Sequence, residues 1–370
     1  MLNTRRHQRH FYYLVFPVAV SASVVAMLIS MEYVAIVWLR PDSFGDPFGS
    51  VVVDFVISDN GTIGAFVVAD DGDASSHKGP RYRVGFIDMR HGKLRGELLT
   101  LASRPKRLLP RDGPSNFLIG GFDGSIVSAD CRFSTVEPIC FGTPNNCVLA
   151  SLHRAKNRTT IICFETASIK ARQEKTGELI WERRAENIAD VAINDSGKWL
   201  YCGMFTGEVL QIDAGTGQLE RVCVQHNGEV LRLTVSPCGE YLASVVSHGH
   251  LVMTRLSDGK TVWTSYAFTT SKPTFTGDGT RLVVVEQRVG APNRLVAIDA
   301  CSGARLFDVG EHNRAVGVRC TADGNLYSWG SDGCIKAWDL NGRQQRWLSR
   351  PVIKRDQRQI VLAAIEVPAS

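Results

Sequence analysis

A short turn signal returns along this chain at a nearly constant interval, and that interval leaves few folds open. SDNG ends at Gly61, RDG at Gly113, NDSG at Gly197, SPCG at Gly239, TGDG at Gly279 and TADG at Gly324. The step from Gly113 to Gly197 is double, with Lys156-Asn157-Arg158 as a degenerate turn near its middle. Six steps from 61 to 324 give a period of about 44 residues, a length that belongs to repeat architectures. Seven such units fit between residues 50 and 350.

Each unit repeats one local pattern. An alternating strand precedes the tag, as in EVLRLTV (229–235), and a second follows it, as in YLASVVS (241–247). A third resembles RLVAIDA (294–300), and a fourth is polar at its ends, as in KTVWTSYAF (260–268). Runs of this length bounded by Gly, Asp or Asn read as antiparallel strands joined by hairpins. No helical apolar periodicity competes with them after residue 40. The pattern predicts an all-β fold, a seven-bladed β-propeller of four-stranded antiparallel blades. Its blades span about 50–98, 99–139, 140–185, 186–225, 226–268, 269–311 and 312–350. A single four-stranded sheet cannot bury both faces, whereas a closed ring of them can.

The first forty residues are of another kind. Phe11 to Met31 carries no formal charge, and the apolar run resumes from Tyr33 to Leu39. About 20 apolar residues cross a bilayer as a helix. Residues 11–39 are therefore expected to form one N-terminal transmembrane helix, a signal anchor. Residues 1–10 form its cytoplasmic tail, 40–49 a linker, 50–350 the propeller and 351–370 a C-terminal tail. Arg5, Arg6 and Arg9 precede the helix, and Arg40 is offset by Asp42 and Asp46, so the N-terminus stays inside and the propeller lies outside the cytoplasm. A cleaved signal peptide, with Val20 and Ala22 at the cleavage site, is the alternative, but the apolar run far exceeds a signal core of ~7–15 residues.

The last unit reads HNRAVGVRCTADGNLYSWGSDGCIKAWDL and closely resembles a WD repeat. His312, Ser328, Asp332 and Trp338 stand at the four positions whose side chains, in that family, form a structural hydrogen-bond network. A His-Asp-Ser catalytic set is the competing reading. The fifth unit keeps His226 and Ser244 but has His248 and Thr254 for the Asp and Trp, and the second keeps Asp123-Gly124 with Ala129 for the Trp. A second resemblance overlaps the first. ARQEKTGELIW (171–181) and AIDACSGARLF (297–307) look like the repeat of pyrroloquinoline-quinone-type (PQQ-like) propellers. Trp181, Trp263 and Phe307 each follow a turn glycine by four residues, and the resemblance implies that these aromatics dock between blades. Gln173 departs from the expected Asp, and Arg221 from the expected aromatic.

Chemistry is sparse. No two of the ten cysteines are adjacent, so the vicinal pair of a quinoprotein dehydrogenase is missing, and no cofactor is expected. Asp70, Asp71 and Asp73 form an acidic cluster without a closing Glu, read as a hairpin insertion rather than a calcium loop. His248 and His250 flank Gly249 at a turn and lack a third metal ligand. Cys140 and Cys147 flank a loop that a disulfide could close. Net charge is only +5, which calls for no nucleic acid partner. The segments SRPKR (103–107), HRAKNR (153–158) and ERR (182–184) concentrate positive charge, as a basic sector or as solvated loops. The expected function is a non-catalytic, membrane-anchored scaffold that binds a protein partner outside the cytoplasm. A periplasmic enzyme, a degenerate quinoprotein dehydrogenase or a lactonase-like protein, is the alternative.

Overall fold

The structure, a computed structural model, describes residues 50–349 apart from 59, 71–80, 112, 140–147, 156–157, 165–166, 175, 267–268, 270, 322 and 340–343. The anchor segment 11–39, the two tails, Asp71, Asp73 and the pair Cys140 and Cys147 lie outside the described residues. Among the described residues no helix is long and apolar enough to cross a membrane.

Twenty-eight strands, β1 to β28 in chain order, form seven antiparallel sheets of four consecutive strands each. The blades cover 50–101, 105–138, 148–184, 188–225, 230–266, 274–312 and 315–349. The sequence boundaries differ from these by a few residues. The largest consequence is at His312, which closes the outer strand of the sixth blade, β24 (Arg305–His312), instead of opening the seventh.

The hairpins follow from the glycines. Gly61, Gly197, Gly239, Gly279 and Gly324 all have φ between 69° and 82°, and each donates its N–H to the carbonyl three residues back. That left-handed conformation costs an L residue strain and glycine almost none, which is why the tags recur. Second strands are buried along nearly their whole length, as in β18 (Tyr241–Val246) and β26 (Asn325–Gly330). Fourth strands alternate with solvent, as in β12 (Leu179–Arg184) and β20 (Thr261–Tyr266). A strand covered on both sides by neighbouring blades needs a continuous apolar run.

The core therefore lies between blades, in seven clusters, one for each junction. The junction of blades 2 and 3 is thinnest, with Leu118, Ile126, Ile161 and Cys163 at its centre. An ion pair between half-buried Arg111 and buried Glu174 reinforces it. Blade 7 meets blade 1 without strand exchange. Tyr327, Trp329 and Trp347 pack against Phe55, Phe66 and Ile87, and the ring closes with no strand shared between the two sheets.

Three junctions share one further device. Trp181 donates its indole N–H to the Ala214 carbonyl (3.0 Å), Trp263 to Ala300 (2.9 Å) and Trp347 to Met89 (3.2 Å). Each acceptor follows an Asp that ends a third strand: Asp213, Asp299 and Asp88. Those carboxylates accept backbone N–H groups within their own turns. At the fourth residue of each turn, Gly217, Gly303 or Gly92, a Cβ would lie 2.6 Å from the docked ring. Arg221 stands at the same register in blade 4, and its guanidinium donates to the corresponding carbonyl, that of Leu256. Phe307 has no N–H to donate and packs, half-buried, against the blade 6–7 cluster.

Candidate binding site at the mouth of the central channel

The first strands of the blades form the inner wall of the ring. In six of them the pairing slips by one residue near the start, between Val52 and Asp54, Pro105 and Arg107, Leu149 and Ser151, Ile188 and Asp190, Val230 and Arg232, and Ala315 and Gly317. A bulge of this kind re-aims the residue that follows it. Extending the register of blade 6, where Thr274 faces Val283, puts Lys272 at the same position. One level of the channel is thus drawn from Asp54, Arg107, Ser151, Asp190, Arg232, Lys272 and Gly317. Arg319 lies two residues beyond Gly317, on the same side of its strand.

Asp190 is the hub. Its carboxylate accepts from Arg107 Nη1 at 3.3 Å, Lys272 Nζ at 3.0 Å and the Leu233 N–H at 3.1 Å. Arg107, Asp190 and Lys272 belong to blades 2, 4 and 6, none of which adjoin, so these contacts cross the channel. Burial works against the charge, yet Lys272, Arg107, Arg232 and the Leu233 N–H outweigh it and hold the Asp190 carboxyl down at about 2. Lys272 is brought down to about 8, chiefly by burial, with Arg107 and Arg232 opposing the help it receives from Asp190.

Asp54 has a different balance. It accepts from the Leu108 N–H (2.8 Å) and the Phe55 N–H (2.9 Å), but burial raises its pKa despite Arg319 and Arg107 nearby. Burial lowers the pKa of Arg319. Among the described residues the site gathers four cations, Arg107, Arg232, Lys272 and Arg319, and two carboxylates. Asp54 and Asp190 also each accept an N–H from the next blade's inner strand. They therefore satisfy strand edges that no sheet neighbour reaches.

First strands begin at the face of the ring that carries the interblade connections and the turns between second and third strands. On that face Phe122, Phe205, Tyr266, Val289 and Val316 are exposed, Tyr266 at 82%. Arg104 and Lys106 lie over the Phe122 ring at 4.5 and 5.0 Å.

The four residues of the WD-like set are in mutual contact. His312 Nδ1 lies 2.6 Å from Ser328 Oγ, His312 Nε2 3.1 Å from Asp332 Oδ1, and Trp338 Nε1 donates to Ser328 Oγ at 2.8 Å. All four are buried, His312 and Ser328 completely. Burial lowers the pKa of His312, with Asp332 pulling the other way. In blade 5 the equivalent register holds His226, Ser244, His248 and Thr254, and there His226 Nε2, Ser244 Oγ and Thr254 Oγ1 are buried without partners. The indole and carboxylate of blade 7 supply the donor and acceptor that blade 5 lacks.

Other expectations from sequence find no chemistry here. Among the described residues no group of three or more His, Cys, Asp or Glu could hold a metal ion. His250 packs edge-on against Tyr266 at 4.4 Å. None of the eight described cysteines forms a disulfide. Of the basic segments, the side chains of 153–158 lie outside the described residues. Arg107 turns into the channel, while Arg184 pairs with Glu186 at the surface. Sequence reasoning missed Asp54, Asp190, Arg232, Lys272 and Arg319. The available signal was a charge inside an apolar first strand, as in VVVDFVI, IADVAI and AVGVRC. No family model matches the chain, and no curated protein matches it.

Proposed function

We propose that this protein is a non-catalytic, membrane-anchored scaffold, similar in build to WD-repeat propellers with PQQ-like docking turns, that holds a protein partner outside the cytoplasm. The observation that carries the reading is the exposure of Phe122, Phe205, Tyr266, Val289 and Val316 on one face of a ring braced at every junction. Rigid placement keeps the entropic cost of ordering a binding surface low, and apolar side chains exposed on one face offer a partner area to bury. The buried His312–Ser328–Asp332–Trp338 set is, in this reading, a structural brace: no member is open to substrate. The anchor is the uncharged stretch from Phe11 to Met31 and its continuation to Leu39, oriented by Arg5, Arg6 and Arg9.

The full-length chain, solubilised in detergent, is the bait that tests this. A partner captured by the native chain should be lost from the double variant Phe122→Ser/Phe205→Ser, provided that variant keeps the native unfolding midpoint. An absorbing cofactor or measurable turnover in the purified protein would overturn the scaffold reading. A reporter active only outside the cytoplasm, fused after Ser370, should be active. Activity of a cytoplasm-specific reporter there would reverse the orientation.

A further inference from the structure

We propose that the channel mouth is an anion-binding site that takes an acidic side chain, Asp or Glu, presented by the protein partner; this rests on the scaffold reading above. The geometry supplies three reasons. First, among the described residues four cationic side chains from blades 2, 5, 6 and 7 gather within two residues of one level of the channel, and two carboxylates answer them. Asp190 is already committed to Arg107 and Lys272. Arg319 meets Asp54 through charge without a hydrogen bond between them, and Arg232 is exposed, spending one N–H on its neighbour's carbonyl, that of Leu231 (2.7 Å). Hydrogen-bonding capacity is left over on both guanidiniums.

Second, like charges enclosed together are costly, and an incoming anion relieves that cost more strongly in an enclosed site than on an open surface. Burial lowers the pKa of Lys272 and of Arg319, and Arg107 beside them lowers both further, while burial alone raises that of Asp54. Third, the site opens on the face that exposes Phe122, Phe205 and Tyr266. A segment with a carboxylate at its centre and apolar residues on either side would meet cations in the channel and aromatic rings around the rim. The fork of a guanidinium suits a carboxylate's two oxygens.

The probe is a fluorescein-labelled Glu-Glu-Phe-Glu-Glu peptide, followed by anisotropy against the full chain in detergent micelles, beside its Gln-for-Glu counterpart. The Glu peptide should bind at least about tenfold more tightly than the Gln peptide, and its affinity should fall as salt is added. Arg232→Gln and Arg319→Met should each weaken it about tenfold, a typical scale for one charge-assisted contact. Arg255→Gln, at the opposite end of its blade and paired with Asp258, should leave it unchanged. Arg232→Gln removes an exposed group, so it keeps the test sound if Arg319→Met fails to fold. Equal binding of the two peptides, or unchanged binding by a folded Arg232→Gln chain, would overturn the proposal. Displacement of the peptide by an equal concentration of inorganic phosphate would also overturn it, because the site would then serve a free oxyanion. Capture of a partner that survives both channel substitutions would sink this proposal and leave the scaffold reading standing. Peptide binding as described, with no partner captured by the intact chain, would do the reverse.

Discussion

A carboxylate inside a protein channel stays ionised only where cations answer it, and Asp190 has Lys272, Arg107 and Arg232 around it. Removing that charge strands the cations. Asp190→Asn should therefore cost about 3–5 kcal/mol, the usual penalty for breaking one side of a buried pair, read as a lower urea midpoint at neutral pH. The same residue sets an acid limb. Its pKa falls from 3.8 to about 2 on folding, so the unfolded chain binds the proton more readily. The stabilisation is complete above pH 4 or so, and it is lost as pH drops through 2. Native stability should fall over that window, and the Asp190→Asn chain should lose less; parallel slopes in the two chains would refute the assignment. At the blade 7 network, Trp338→Ala should cost about 3–5 kcal/mol through the deleted indole. His312→Ala should cost about 1–3 kcal/mol by leaving Ser328 and Asp332 short of a partner. Both substitutions act on Ser328, so their effects should sum to less than their total. Thermal unfolding of the two single variants and the double variant checks this, and an unchanged midpoint for His312→Ala would argue against a bracing role.

At the scale of strands and turns, the docked tryptophans make a sharper test than any average over the blades. Gly217 has φ near 73° and sits under the Trp181 ring. Gly217→Ala should strain the backbone by about 1 kcal/mol or more and push the indole off the Ala214 carbonyl. Gly239→Ala has similar φ (75°) and open space around its Cβ, so it should cost the backbone share alone. Equal losses in the two variants, measured by urea unfolding, would show that the docked ring contributes little. These elements also show what sequence could and could not convey. The hairpin tags were legible because left-handed φ selects glycine directly. Trp347 was not, since Gly342 precedes it by five residues where Trp181, Trp263 and Phe307 have four. Arg221 read as a departure from the aromatic pattern, yet its guanidinium reaches the same carbonyl as an indole would. The channel site was hidden for another reason. Arg107, Asp190 and Lys272 lie 83 and 82 residues apart in sequence, and only ring closure brings blades 2, 4 and 6 to one centre.

For the molecule as a whole, the first strand begins at residue 50, and among the described residues the blade cores begin at Val52. A chain lacking residues 1–40 should remain folded and β-rich, with a cooperative thermal transition by circular dichroism. Persistent insolubility or an unfolded spectrum would weaken the division between anchor and propeller. Sequence conveyed the number of blades because the period is a local property repeated seven times, but it held no statement of how the last blade meets the first. The Trp347 indole and the Met89 carbonyl are 258 residues apart, and no shared strand holds that seam. Time enters here. A ribosome adding ~5–20 residues per second needs roughly 13–50 s to cover that distance. Until Tyr327 is made, near the end of that interval, Phe55, Phe66 and Ile87 stand without their partners from blade 7. Blades 2 to 6 each find a neighbour within one repeat of synthesis, so blade 1 alone must wait for the end of the ring with an apolar flank uncovered. Shielding that flank until blade 7 is made is then a requirement of folding separate from the stability of the finished ring.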